Sequence, residues 1–137
     1  MQERGYRSIA ELTMSFDTLG LPEPLVRAVT DAGYVTATDV QAAAIPPALA
    51  GTDLMVAAAT GSGKTASFIL PALARILAAR ADTAQRRDKG TVYGPRILVL
   101  TPTRELAMQI AKAAATYGRH VPGLRITTVV GGVPYPA

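Results

Sequence analysis

The chain has 137 residues, 49% of them hydrophobic and 18% charged, which is enough apolar material for one domain with a core and unlike a disordered tail or a coiled coil. It contains no cysteine, which excludes a disulfide scaffold, a thiolate zinc site and a thiol nucleophile. Fourteen basic against ten acidic residues leave a net charge of +4, compatible with a polyanionic partner but too small to identify one.

Residues 1–13 show no periodic pattern and carry Glu3, Arg4, Arg7 and Glu11, so they read as a disordered leader rather than a signal peptide. Organised sequence begins after Met14, at Ser15 and Phe16, and Met14 is a candidate for the natural start. No apolar stretch approaches the roughly 20 residues of a membrane span, so the expected location is cytoplasmic.

Leu25, Val26, Val29 and Ala32 recur at helical spacing, and Gly33 suits the left-handed position after a last turn. Thr38 can cap a second short helix, expected to yield at Pro46 and Pro47. Three apolar runs follow, at 54–57, 97–100 and 126–130, whose continuous hydrophobicity predicts strands buried on both faces of a parallel sheet. Between them, residues 64–79 place Phe68, Ile69, Ala72, Leu73, Ile76 and Leu77 on one helical stripe, with Pro71 as a kink. Residues 104–117 do the same with Leu106, Ile110, Ala113, Ala114 and Tyr117. The stretch 80–95, with Arg86, Arg87 and Lys89, reads as a solvated loop rather than a dedicated RNA clamp. The single histidine, His120, follows a predicted helix end and reads as a solvated cation, since one histidine makes no metal cluster. Strand and helix alternate as in an open α/β sheet.

The strongest chemical signal is Ala58-Ala59-Thr60-Gly61-Ser62-Gly63-Lys64-Thr65, lying between a strand pattern and an amphipathic helix. Gly61 and Gly63 let the backbone turn and bring N–H groups close to phosphate oxygens. The following helix points its positive end at the same anion. Lys64 can reach the β- and γ-phosphates, and the Thr65 hydroxyl can ligate Mg²⁺. Such a loop says that the chain binds a nucleoside triphosphate; kinases, transporters and GTPases share it.

Three further segments carry a resemblance to one family. The loop Ala58 to Thr65 resembles motif I of DEAD-box RNA helicases, in which alanine at the first position is usual. Phe16 and the stretch Gly33-Tyr34-Val35-Thr36-Ala37-Thr38-Asp39-Val40-Gln41 resemble the family's Q motif, with Ala37 where proline is usual. Pro102-Thr103-Arg104-Glu105-Leu106-Ala107 is similar to motif Ia, and Gly131-Gly132 to the family's paired glycines. The wording of the strands and loops looks most like the bacterial RhlE-like group.

The resemblance implies a RecA-like P-loop NTPase fold, three layers α/β/α around a mostly parallel sheet. It implies that Tyr34 stacks near an adenine, that Phe16 supports the pocket, and that Thr36 and Gln41 belong to the base site, Gln41 selecting ATP over GTP. The segment Thr38 to Gln41 also fits a capping box, and the two roles can coexist. Lys64 and Thr65 would serve catalysis, with ATP and Mg²⁺ as cofactors. Pro102, Thr103, Arg104, Gly131 and Gly132 would meet RNA, although a plain capped helix and an ordinary turn also account for them.

No Asp-Glu-Ala-Asp box occurs among the 137 residues, and the order of motifs stops after Gly132. The expected organisation is therefore a leader over 1–13, a Q-motif region over 14–42, and over 43–137 the N-terminal part of a first RecA-like domain. The sheet is expected to be incomplete, the second RecA-like domain to lie outside the sequence, and the chain alone to bind nucleotide without turnover. The alternative from another class is a stand-alone, non-catalytic nucleotide- or RNA-binding module.

Overall fold

The computed structural model describes residues 14–84, 94–132 and 134. The proposed leader and the basic residues Arg86, Arg87 and Lys89 lie outside the described residues. After a 3₁₀ turn at Phe16–Leu19 come four helices: α1 (Glu23–Asp31), α2 (Asp39–Leu49), α3 (Lys64–Ala84) and α4 (Arg104–Tyr117). Helix α3 is the central element, packed against α2 on one side and α4 on another, with α1 touching both α3 and α4.

Helix α1 ends as its sequence predicts. Gly33 adopts φ +88°, the N–H of Gly33 donates to the Thr30 carbonyl and that of Tyr34 to the Val29 carbonyl, which together close the last turn. Helix α2 starts at the capping box read from Thr38 and Gln41: the Gln41 N–H donates to the Thr38 hydroxyl and the Thr38 N–H to Gln41 Oε1. It does not yield at Pro46 and Pro47 but runs on to Leu49. The carbonyls of Pro46 and Pro47 accept from Ala50 and Thr52, so the prolines sacrifice their own donors and no later bond.

Phe16, Leu19, Leu25, Val29, Ile45, Leu70, Leu73, Ile110 and Val121 share one core cluster. Its fully buried members include Leu25, Val29, Ile45 and Leu70, each contributing about 1.5–3 kcal/mol of apolar burial. The buried stripe of α3 runs through Ala66, Ile69, Leu70, Leu73 and Ala74, whereas Phe68 is exposed and Ile76 and Leu77 are half-buried at its margin. The stripe is thus rotated from the one read off the sequence, because α2 and α4 flank α3 on different sides.

Two further expectations are corrected, and the expected sheet is not seen among the described residues. The runs 54–57, 97–100 and 126–130 form no ladder, and among the described residues the only bridge pairs Ser15 with Thr36. A strand needs a partner as well as a composition, and these runs find none here. Leu98 and Leu100 stand 79% and 84% exposed. Residue 80 does not begin a loop: α3 continues to Ala84, and Arg80 donates to the carbonyls of Pro122 and Gly123. His120 is not a free solvated cation, for its Nε2 meets Asp31 Oδ2 at 2.6 Å, tying the segment after α4 to the end of α1.

Candidate nucleotide site

The loop from Ala58 to Gly63 leads into α3, whose first residues are Lys64 and Thr65. Gly61 and Gly63 take φ +82° and +84°, the left-handed region where glycine is at no disadvantage. The Ser62 N–H donates to the Ala59 carbonyl at 3.2 Å and closes the turn. The Lys64 ammonium folds back and donates to the Ala58 carbonyl across the mouth of the loop. Ala59, Thr60 and Gly61 are exposed, while Ala58 and the segment Ser62 to Thr65 are half-buried.

A second element clamps the loop from behind. The Thr38 hydroxyl donates to the Ser62 carbonyl at 2.7 Å, and Gln41 Nε2 donates to the Gly63 carbonyl at 3.2 Å. Gln41 is only 6% exposed, and its amide makes one bond at each end, the oxygen to the α2 cap and the nitrogen to the loop. A methyl group on Gly63 would come within 2.3 Å of Gln41 Nε2, so this glycine is required by close approach as well as by its φ. The cap is legible in the sequence and the clamp is not, because nothing local in a capping box reveals a contact 24 residues away.

The other residues of the expected base site are scattered. Phe16 is buried in the core, Thr36 is exposed in its bridge with Ser15, and Tyr34 is half-exposed against Tyr117 of α4. The two rings lie 6.3 Å apart at 57°, a tilted pair, and burial followed by the neighbouring Tyr34 raises the Tyr117 hydroxyl above its ordinary pKa. Asp31 goes the other way: the hydrogen bond from His120, aided by the charges of His120, Arg119 and Arg27 against some desolvation, lowers its carboxyl.

Pro102, Thr103 and Arg104 sit exposed at the start of α4, where the Thr103 hydroxyl accepts from the Leu106 N–H at 3.2 Å. Arg104 reaches across to donate to the Gly131 carbonyl, so the paired glycines and the α4 N-terminus share one surface. That contact spans 27 residues and carried no signal in the sequence.

The donor set suits a phosphate chain: an ammonium, a helix N-terminus, a hydroxyl at Thr65, and a buried Ser62 Oγ without a partner among the described residues. A cleft of about 600 Å³ also opens here, but it is a different feature. It takes in Lys64 and Thr65 yet none of residues 58–63, and runs between Leu54 and Val56 on one side and Ile97 on the other, over α2, α3 and α4. It is the gap between two unpaired apolar runs.

Comparison with known proteins points to one family. The DEAD/DEAH box helicase family model matches residues 38–137. The chain is 47% identical over 121 residues to the ATP-dependent RNA helicase SrmB of Escherichia coli strain K12, covering 88% of the chain and 25% of that protein. It is 42% identical over 122 residues to the ATP-dependent RNA helicase DeaD of Haemophilus influenzae, covering 89% of the chain and 18% of that protein. Among solved structures, the RNA-helicase Prp28 from Chaetomium thermophilum bound to ADP superposes with a TM-score of 0.70 at 38% identity, over 88% of this chain and 27% of that one. A hypothetical ATP-dependent RNA helicase from Sulfolobus tokodaii gives 0.66 at 34% identity, over 84% and 29%. The fold is therefore that of P-loop NTPases, and the chain spans about a quarter or less of the length of these curated relatives.

Proposed function

Because the chain belongs to the DEAD/DEAH box helicase family, we propose that it supplies the ATP-binding part of an ATP-dependent RNA helicase, in which nucleotide binding and hydrolysis drive RNA binding and local duplex separation. The observation that carries this reading is the double clamp of Thr38 and Gln41 on the carbonyls of Ser62 and Gly63, which makes the Q-motif region and the phosphate loop one unit.

In this reading the Lys64 ammonium leaves the Ala58 carbonyl for the β- and γ-phosphates, where it meets a stronger, charge-assisted partner. The N-terminus of α3 adds its positive end, and the Thr65 hydroxyl would offer one protein oxygen to Mg²⁺. Bound ATP and Mg²⁺ supply the phosphoryl group and its counter-charge. Gln41 retains one amide proton and one lone pair beyond the bonds it already makes, enough to read an adenine edge. Tyr34, Thr36 and Phe16 complete the base site. Pro102, Thr103, Arg104, Gly131 and Gly132 form the RNA face, with backbone donors at the α4 N-terminus suited to phosphate. The finer architecture proposed is RecA-like, with the runs at 54–57, 97–100 and 126–130 as strands of a mostly parallel sheet between helical layers. A second RecA-like domain would close over the nucleotide.

The 137 residues themselves contain no two adjacent acidic residues, hence no DEAD box to hold the metal or orient water. That observation favours a second reading for these residues alone, a binding module without turnover. Equilibrium binding of fluorescent ATP tests the proposal: wild type binds and Lys64→Ala loses most of the affinity. Binding that is unchanged in Lys64→Ala contradicts it. An RNA-stimulated ATPase rate from these 137 residues, abolished by Lys64→Ala, contradicts the second reading.

A further inference from the structure

The loop between α1 and α2, which carries Tyr34, Thr36 and Thr38, is anchored at its two ends. The turn after α1 fixes Tyr34 N–H on the Val29 carbonyl, and Ala37 N–H donates to the Met14 carbonyl at 2.8 Å. Between those anchors Tyr34 and Val35 are 52% and 75% exposed. The described ring contact of Tyr34 is with Tyr117, at the last position of α4. One turn beyond, His120 grips Asp31, the last residue of α1, at 2.6 Å. The end of α4 thus holds the loop by an aromatic pair and holds the preceding helix by a polar one.

We propose that Tyr117 is a positioning residue for base recognition: by seating Tyr34 it sets the course of the loop into Thr38 and Gln41, so that ATP is preferred over GTP. The inference rests on the reading of that loop as the base site. Tyr117 packs against the core and pairs with Tyr34, so its effect should fall on the base rather than the phosphates. An aromatic pair of this geometry is worth enough to change a binding ratio by about threefold to tenfold. Tyr117→Phe keeps the ring pair and removes the hydroxyl that also interacts with Tyr34, so it separates the two contributions.

The test compares wild type, Tyr117→Ala, Tyr117→Phe and Met108→Ala, an exposed control on the same helix, by titration with fluorescent ATP and GTP and by hydrogen–deuterium exchange over residues 33–41. The expected result for Tyr117→Ala is faster exchange in that peptide and a fall of about fivefold in the ATP-over-GTP ratio, with GTP affinity unchanged. Met108→Ala should behave as wild type, and Tyr117→Phe, which keeps the ring, should fall less than Tyr117→Ala. An unchanged ratio in Tyr117→Ala, or equal losses for both nucleotides, overturns the inference. Wild-type protein that binds ATP and GTP equally overturns the base-site reading itself. In that event the exchange arm still decides whether Tyr117 seats the loop, and unchanged exchange in Tyr117→Ala overturns that too.

Discussion

The hydroxyl of Thr38 donates to the carbonyl of Ser62 at 2.7 Å while accepting from the N–H of Gln41 at 3.4 Å, so one side chain caps α2 and pins the phosphate loop. Substitutions separate these duties. Thr38→Val removes both, costing about 1 kcal/mol for the cap and about 1 kcal/mol for the bond to the loop. Thr38→Ser keeps both and should cost less than about 0.5 kcal/mol. Urea denaturation measures the difference, and equal stability of the two variants contradicts the double role.

Gly63 and Gly61 share a positive φ but differ in surroundings. A Cβ on Gly61 meets nothing within 4 Å, whereas one on Gly63 meets Gln41 Nε2 at 2.3 Å and Thr38 Oγ1 at 3.2 Å. Gly61→Ala should therefore cost only the backbone strain, about 1–2 kcal/mol. Gly63→Ala adds displacement of a buried amide and should cost about 1–2 kcal/mol more. Denaturation midpoints that coincide would show that Gln41 does not sit against the loop.

Local signals in the chain predicted local structure well. The bounds of α4, the cap at Thr38 and the left-handed turn at Gly33 all follow from residues within one turn of each other. What escaped was set by contacts between distant segments. The clamp on Ser62 and Gly63, the Arg104 bond to Gly131, and the His120 bond to Asp31 link positions from 22 to 89 residues apart. The face that α3 buries depended on where α2 and α4 lie, which moved Phe68 outward. The apolar runs have strand composition, but pairing is a property of two segments and cannot be read from one.

Those runs make a prediction of their own. Contiguous exposed apolar residues such as Leu98 and Leu100 drive association. Sedimentation should show self-association rising with concentration, reduced in the double variant Leu98→Glu, Leu100→Glu without a loss of thermal midpoint. A monomer at all concentrations contradicts it.

The pair of Asp31 and His120 makes stability depend on pH in a defined direction. The folded carboxyl is lowered below its ordinary 3.8, so the stability it adds is fully present above that value and is lost as pH falls through the folded value. The stability gap between wild type and His120→Ala, followed by urea denaturation from about pH 5 down to about pH 2, should close at the acid end. A gap that stays constant through that range contradicts the pairing.

The central claim is that Gln41 joins base recognition to the phosphate loop. Titration of ATP and GTP against wild type, Gln41→Ala and Gln41→Glu tests it most directly. Gln41→Glu keeps the oxygen that accepts from Thr38 N–H but loses the donor to the Gly63 carbonyl. Wild type should prefer ATP by about tenfold or more, as loss of a hydrogen bond pair to the wrong base implies, and both variants should bind the two nucleotides alike. Equal binding of ATP and GTP by all three proteins would contradict the account.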